Sequence, residues 1–243
     1  MQRIILLGTG TCQLQKHRTS SSILVQLEDL LFVYDLGRGA TQRLAELEIK
    51  QDDLQHIVIS HFHPDHISDL VPLLHAARWS RVDPRSKDLH IYGPTGLESK
   101  IKELLSILEF GSLKCDLFNI HLHEITDDSF TIGQHKLTFT NLPPVNNSGL
   151  KFEVGGKVYA FTGDSDYHDE EITFLDGVDF AVIDAGHPTD QQVVELATKT
   201  NVPTIVLSHL YRETDENEIR QKANQVGYKG DLVVGRDLMR FDI

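Results

Sequence analysis

"IVISHFHPDHISDL" (residues 57–70) brings His61, His63, Asp65 and His66 together directly after an apolar run. "HIVIS" (56–60) reads as a short buried strand. In an extended segment residues i and i+2 point the same way, so His61 and His63 can converge on one ion. Pro64 keeps His63 extended and delays the helix. Asp65 and His66 fall at the turn into that helix, where they can face a second ion. Ile67, Leu70, Val71 and Leu74 then recur at i, i+3, i+4 and i+7, which is one apolar helical face. Imidazole and carboxylate donors at this density suit zinc, iron or manganese. The competing reading is a polar surface loop with chance histidines. It is disfavoured because unpaired histidines seldom crowd a strand end between apolar flanks.

Working outward, strands alternate with helices. "RIILLG", "SSILVQL" and "LLFVYDLG" read as strands, and "GATQRLAELEI" as a helix with Leu44 and Leu47 on one side. "LHIYGPTGL" is a strand and turn, followed by the helix "GLESKIKELLSIL". "KLTFTNL" is a strand, and "LKFEVGGKVYAFTGD" a hairpin about Gly155 and Gly156. "DFAVIDAG" and "PTIVLSHL" are buried strands. "TDQQVVELATKT" is a helix capped by Thr189, and "ENEIRQKANQVG" a last helix stopped by Gly227. No Pro/Ser-rich linker, low-complexity tract or repeat interrupts the pattern. It predicts one α/β domain over residues 1–243, with a mixed sheet because hairpins and crossovers both occur.

The chain has 243 residues, 40% of them hydrophobic, with no apolar run of membrane-spanning length. "MQRIILLGTG" lacks the long apolar core and cleavage site of a signal peptide and reads as a strand of a cytoplasmic protein. Cys12 and Cys115 cannot make a disulfide framework and are expected as reduced, partly buried thiols. The net charge of −13 argues against broad electrostatic capture of nucleic acid. It does not exclude a small anion, because bound metals reverse the field locally.

Further donors sit at strand ends downstream: Asp164 in "YAFTGDSDY" and His209 in "TIVLSHLY". In α/β folds ligands collect at the ends of strands along one sheet edge. A lone Asp after Gly is usually a turn former, so the weight lies in the combination.

The chain resembles the metallo-β-lactamase superfamily of binuclear metal hydrolases, in the branch holding ribonuclease Z and small phosphodiesterases. The matching features span nearly the whole chain: "LLGTGT" (6–11), "YDLGRG" (34–39), "SHFHPDHISDL" with its H-x-H-x-D-H signature, "IYGPTGL" (91–97), "FTGDSDY" (161–167), "GHPT" (186–189) and "VLSHLY" (206–211). The resemblance implies a four-layer αββα sandwich with two divalent metal ions, zinc foremost and manganese or iron as alternatives. It implies that His61 and His63 bind the first metal, that Asp65, His66 and His209 bind the second, and that Asp164 bridges both. Asp35 matches an acidic position that orients a ligand imidazole. His187 matches a histidine that reaches the substrate phosphate as acid or transition-state stabiliser; otherwise it is a surface histidine preceding a helix. Asp65 and His187 are thus the candidate catalytic residues.

One position departs from the family pattern. A further histidine is expected between the signature and the GD motif, yet "LPPVNNSGLKFEV" (142–154) has none. The expected position falls at Asn147, or at Asn146 with a slip of one. An amide oxygen is a poorer zinc ligand than imidazole, so the first site is expected to be the weaker. Three outcomes follow: a looser binuclear site, a single ion in the second site, or a histidine from elsewhere (His17, His121, His123 or His135) completing the shell.

Metals in such a site lower the pKa of a water they hold and offset charge in the transition state. Phosphodiesters, thioesters, lactams and lactones all yield to this machinery, so fold and metal do not name the substrate. The branch and His187 point to phosphodiesters. Ribonuclease Z that matures tRNA carries a protruding arm between the histidine and GD motifs; here sixteen residues separate Asn147 from Asp164 and read as a plain hairpin. With the acidic surface this argues against tRNA and for a small phosphodiester or nucleotide-like anion, which Arg18, Arg38 or Arg212 could contact unless they are ordinary surface arginines. Alternatives are a catalytically degenerate member that binds metal or ligand, and a mononuclear-metal enzyme of other chemistry, such as a thioester or lactone hydrolase or a sulfur oxygenase. Relatives often form homodimers, but no surface stripe here fixes the oligomeric state.

Overall fold

The computed structural model describes residues 2–108, 116–126, 128–143 and 146–243. The chain divides into two compact units: Met1–Gly8, Lys16–Thr126 and Asp237–Ile243 in the first, Thr9–Gln15 and Asp127–Arg236 in the second. Among the described residues no helix is long and apolar enough to cross a membrane.

The first unit holds a seven-stranded sheet in the order β14 (Arg240–Asp242), β1 (Arg3–Gly8), β2 (Ser22–Gln26), β3 (Leu31–Tyr34), β4 (His56–Val58), β5 (Leu89–Pro94) and β6 (Ile120–Ile125). Pairing is antiparallel from β14 to β3 and parallel from β3 to β6. Ile57 and Ile91 face a core shared with Leu44 of α1 (Ala40–Glu46), Leu70 and Leu74 of α3 (Leu70–Trp79) and Leu97 and Ile101 of α4 (Leu97–Ile107).

The helix expected from Asp65 onward is two pieces, α2 (Pro64–Ile67) and α3. Asp69 causes the break. Its backbone N–H leaves the helical ladder to donate to Leu36 O (3.0 Å), and its carbonyl restarts the helix by accepting from Leu73 N–H. Its carboxylate accepts from the N–H groups of Gly39 (3.1 Å) and Thr41 (2.9 Å) and from the Thr41 hydroxyl (2.7 Å). It thereby caps α1, whose own N-cap residue, Gly39, has no side chain to do so. Leu70 and Leu74 are buried as the periodicity predicts, while Ile67 and Val71 are only partly covered.

The second unit holds another seven-stranded sheet, β13 (Asp231–Val234), β12 (Thr204–Ser208), β11 (Phe180–Asp184), β10 (Lys157–Phe161), β9 (Asn147–Val154), β8 (His135–Leu142) and β7 (Ser129–Ile132). It too is mixed: antiparallel from β7 to β10, parallel from β10 to β13. The hairpin at Gly155 and Gly156 is present, both glycines having positive φ. α5 (Asp169–Phe174), α6 (Asp190–Thr200) and α7 (Glu216–Gln225) supply Phe174, Val193, Val194 and Ile219 to a core with Ala181, Ile183, Ile205 and Leu207. Thr189 caps α6 in a full capping box with Gln192.

Three expectations about side chains change. Cys12 is exposed rather than partly buried, and Cys115 lies outside the described residues. Arg18 is buried, not a surface arginine. His121 and His123 belong to another cluster. Alternation along β4, β5 and β6 places His56, His90, Tyr92, His121 and His123 on the face opposite Ile57 and Ile91. There His90 stacks on His121 and His123, His90 Nδ1 lies 3.0 Å from His123 Nε2, and His121 binds Asp88.

Burial, reinforced by the charges of His90 and His123, pushes the His56 imidazole down to about 4; burial also lowers His90 and His123. The unfolded chain therefore binds protons below pH about 6.5 that the folded chain refuses, and stability falls as pH drops from there towards 4. A His56→Gln variant is expected to lose part of that slope. Melting temperature measured from pH 7 to pH 4.5 in both proteins checks this; parallel curves would remove His56 as a source.

Candidate metal and hydrolase site

In the first unit the site residues follow the ends of β3 and β4, where the sheet changes from antiparallel to parallel pairing. Asp35 leaves β3 with φ +60, and its N–H donates to Val58 O (2.8 Å). Its carboxylate is fully buried and accepts from Ser60 N–H (2.7 Å), the Ser60 hydroxyl (2.8 Å) and His66 Nδ1 (2.7 Å). A carboxylate in this setting accepts, so the His66 proton sits on Nδ1 and the lone pair on Nε2. Because the Ser60 hydroxyl donates to Asp35, its oxygen accepts from His61 Nδ1 (2.9 Å). His61 therefore also keeps its lone pair on Nε2.

His61 Nε2 lies 2.9 Å from His63 Nδ1. Two nitrogens each about 2.0–2.1 Å from a shared ion stand about 3 Å apart, so the pair fits adjacent places on one metal. His61, Asp65 and His66 are buried and His63 is exposed. Gly37 fits because a Cβ there would come within 2.1 Å of Asp65 O. That contact ties "YDLGRG" to the histidine motif.

In the second unit Asp164 follows β10, Asp184 ends β11, and His209 follows β12. His209 adopts φ +53, a left-handed conformation that costs a non-glycine residue about 1–2 kcal/mol. One ligand atom from each of Asp164, Asp184, His187 and His209 lies within 4.8 Å of the others. His209 Nε2 is 3.2 Å from Asp164 Oδ1, and its Nδ1 is 3.2 Å from Asp184 Oδ2. His187, the exposed member, donates from Nδ1 to Asp184 Oδ2 (2.6 Å), and its ring stacks on His209 at 5.2 Å. Asp184 Oδ1 accepts the N–H groups of Gly186 (2.7 Å) and His187 (3.0 Å). The hydrogen bond to Asp184 raises the His187 imidazole above its ordinary value, helped by the charges of Asp184 and Asp164 and opposed by burial. A Cβ on Gly186 would come within 2.0 Å of His209 O, so only glycine fits there.

Asp184 is the residue the sequence reading missed. Its signal was the same as that of Asp164 and His209: a polar donor closing a buried strand, in "FAVIDAG". The donor sets in both units, imidazoles and carboxylates that are mostly buried, fit divalent zinc, manganese or iron.

Asn147 opens β9 buried; its Nδ2 donates to Thr162 O (2.9 Å) and its Oδ1 accepts from Asp164 N–H (3.0 Å). Asn146 has φ +76. Of the alternative histidines, His121 and His123 join the β4–β6 cluster. His135 opens β8 opposite Ile132, seven residues from Leu142, which pairs with Asn147. His17 is exposed. Arg212 pairs with Asp190 at 2.6 Å.

Residues 33–210 match the family described as "Beta-lactamase superfamily domain". A ribonuclease Z of Picrophilus torridus is 24% identical over 99% of this chain and 96% of its own length. Other curated ribonuclease Z relatives, such as those of Methanococcus aeolicus and Streptococcus uberis, are 33% identical over 51–55% of the chain and 36–46% of their own length. The metallo-β-lactamase fold protein YhfI from Bacillus subtilis superposes with a TM-score of 0.81 at 20% identity, covering 99% of this chain and 98% of that one. Human tRNase Z, short form, gives 0.76 at 19% identity, with 99% of each chain covered. A diphosphatase from the PhnP family gives 0.73 at 18%, over 100% and 98%.

Replacing Asp184 by Asn keeps an acceptor for the two backbone N–H groups but turns an amide N–H towards His187 Nδ1. The His187 proton is expected to move to Nε2, and metal affinity to fall about 10–100-fold. Nitrogen-15 imidazole spectra and a zinc titration read the two effects; an unchanged tautomer would show that Asp184 does not set it. The match over most of its length, on this α/β fold, places the chain in the metallo-β-lactamase superfamily, in its ribonuclease Z-like branch, a family of metal-dependent hydrolases.

Proposed function

We propose that the chain is a phosphodiesterase of this family, using two divalent ions, zinc foremost, to hydrolyse a small phosphodiester or nucleotide-like anion. In this reading the two units work as one domain. By the order of the family motifs, His61, His63 and Asp164 would hold the first ion, and Asp65, His66, His209 and Asp164 the second. The ions supply Lewis acidity and activation of water. The chain's own residues orient and move protons. Asp35 and Ser60 fix His66 and His61 with lone pairs on Nε2. Asp65 would serve both as a ligand and as a carboxylate able to accept a proton from water.

The observation that carries the reading is His187. Its Nδ1 is held by buried Asp184, its pKa is raised, and its ring is partly open beside His209. An imidazole so held can give a proton from Nε2 to a leaving oxygen, which a phosphodiester requires. A small substrate is favoured by the net charge of −13 and by the plain β9–β10 hairpin. The likeness to a diphosphatase and to yeast PDE1 (TM-score 0.74) agrees with it. A second reading, cleavage of tRNA, is favoured by the ribonuclease Z relatives and the human tRNase Z likeness.

The metal-loaded protein is expected to cleave bis-para-nitrophenyl phosphate, and to cut precursor tRNA with a 3′ trailer poorly by comparison. The reverse order would establish the tRNA reading. Metal retention without turnover of either would mark a binding protein.

Asp164→Ala and His66→Ala are each expected to lose bound metal and to reduce turnover about 10³-fold or more, the loss of several kcal/mol of charge stabilisation. Elemental analysis with the same phosphodiester assay checks this. Wild-type turnover by either variant in excess zinc would contradict the ligand assignment.

A further inference from the structure

Asn147 stands where the family pattern calls for an imidazole, and its surroundings give it a different task. The amide is 2% exposed and faces the backbone on both sides of Gly163. Nδ2 donates to Thr162 O (2.9 Å) and Oδ1 accepts from Asp164 N–H (3.0 Å). It thus spans the turn that presents Asp164, with Gly163 between the two contacts at φ +64.

The same turn is tied to the next strand end. Thr162 N–H donates to Val182 O (3.1 Å), and the Thr162 hydroxyl accepts from Asp184 N–H (3.0 Å). Asn147 on β9, Thr162 after β10 and Asp184 on β11 therefore form one hydrogen-bonded line across three adjacent strands. The backbone N–H groups of Asp164 and Asp184, the two acids of the four-residue candidate group, are both held by it.

We propose that Asn147 is a positioning residue that aims Asp164 through the 162–164 turn and is not itself a metal ligand. The inference rests on the metal reading above and goes beyond it. Both polar ends of the amide are committed to the turn. Nδ2 has no lone pair for an ion, Oδ1 is aimed at Asp164 N–H, and swinging the amide round to make Oδ1 a front ligand would give up one or both of these buried contacts. The imidazole missing from the family pattern is then not replaced in kind. This chain instead holds the turn that presents Asp164.

The test is a cobalt(II) titration of the full chain, followed by visible absorption, for wild type, Asn147→Ala and Asn147→His, with circular dichroism confirming the fold. Asn147→Ala is expected to bind cobalt about 10–100-fold more weakly, as loss of an outer hydrogen bond does. Its absorption bands at saturation are expected to match wild type, because no ligand has been removed. Asn147→His is expected to bind more weakly than wild type, since an imidazole cannot satisfy both backbone groups as the amide does. Wild-type affinity in Asn147→Ala, altered bands at saturation, or tighter binding in Asn147→His would each overturn the proposal. If Asn147→Ala does not fold, the histidine variant decides by its sign. A wild-type chain that binds no cobalt would instead remove the metal reading itself.

Discussion

A buried carboxylate must be surrounded by donors, and the candidate site is built on two that are. Asp35 is fully buried and Asp184 nearly so; each closes a strand within its own unit. Taking an unpaired carboxylate out of water costs several kcal/mol, so neither could stay without its ring of N–H and O–H groups. Those donors are candidate site residues or their immediate neighbours: Ser60 and His66 around Asp35, Gly186 and His187 around Asp184. Satisfying the acid and orienting the imidazole are one event. This accounts for the tolerated left-handed backbone at Asp35, whose local cost is small beside that of an unsatisfied charge.

Sheet topology explains why such residues gather where they do. Each unit runs antiparallel strands into parallel ones, and its site residues follow strand ends at or beyond that change. Parallel strands share a direction, so consecutive C-terminal ends present their outgoing loops along one edge. Asp164, Asp184 and His209 therefore come together though far apart in sequence, because β10, β11 and β12 are neighbours in register. Glycine permits the last approach. Gly37 beneath Asp65 O and Gly186 beneath His209 O let one loop lie on another where any side chain would hold them apart.

Much of this was legible in the sequence, for physical reasons that differ by element. The buried strands 180–184 and 204–208 and the helix at 190–200 were readable because local signals agree: β-branched runs, a Thr cap and an apolar periodicity. The histidine motif was readable because imidazoles and a carboxylate crowded between apolar flanks suit little besides a metal ion. Strands β6, β7, β13 and β14 are not legible in the sequence; their short, polar-flanked segments carry a weak period, and pairing rather than composition makes them strands. The break at Asp69 was hidden because the apolar spacing runs across it, while its cause lies in residues 36–41. Asp184 escaped because it reads as an ordinary polar strand end. Asn147 was seen only as an absence; the two backbone groups it binds are 15 and 17 positions away.

The group of Asp164, Asp184, His187 and His209 is chemically suited to a cation. Two carboxylates whose oxygens lie within 4.8 Å repel each other by about 3–4 kcal/mol at an effective dielectric constant of 20. The chain answers in part with His187, whose imidazole is raised by the acids it meets. A single partly open imidazole cannot balance Asp164 and Asp184 together. A divalent ion held there would remove the conflict and leave the Nδ1 proton between His187 and Asp184 in place. Holding two acids under strain, with their backbone turns locked by Thr162 and Asn147, therefore makes sense as preparation for positive charge. The acidity of the surface has no bearing on this, because the field at the site is set by the nearest few groups and by the ion they are arranged to receive.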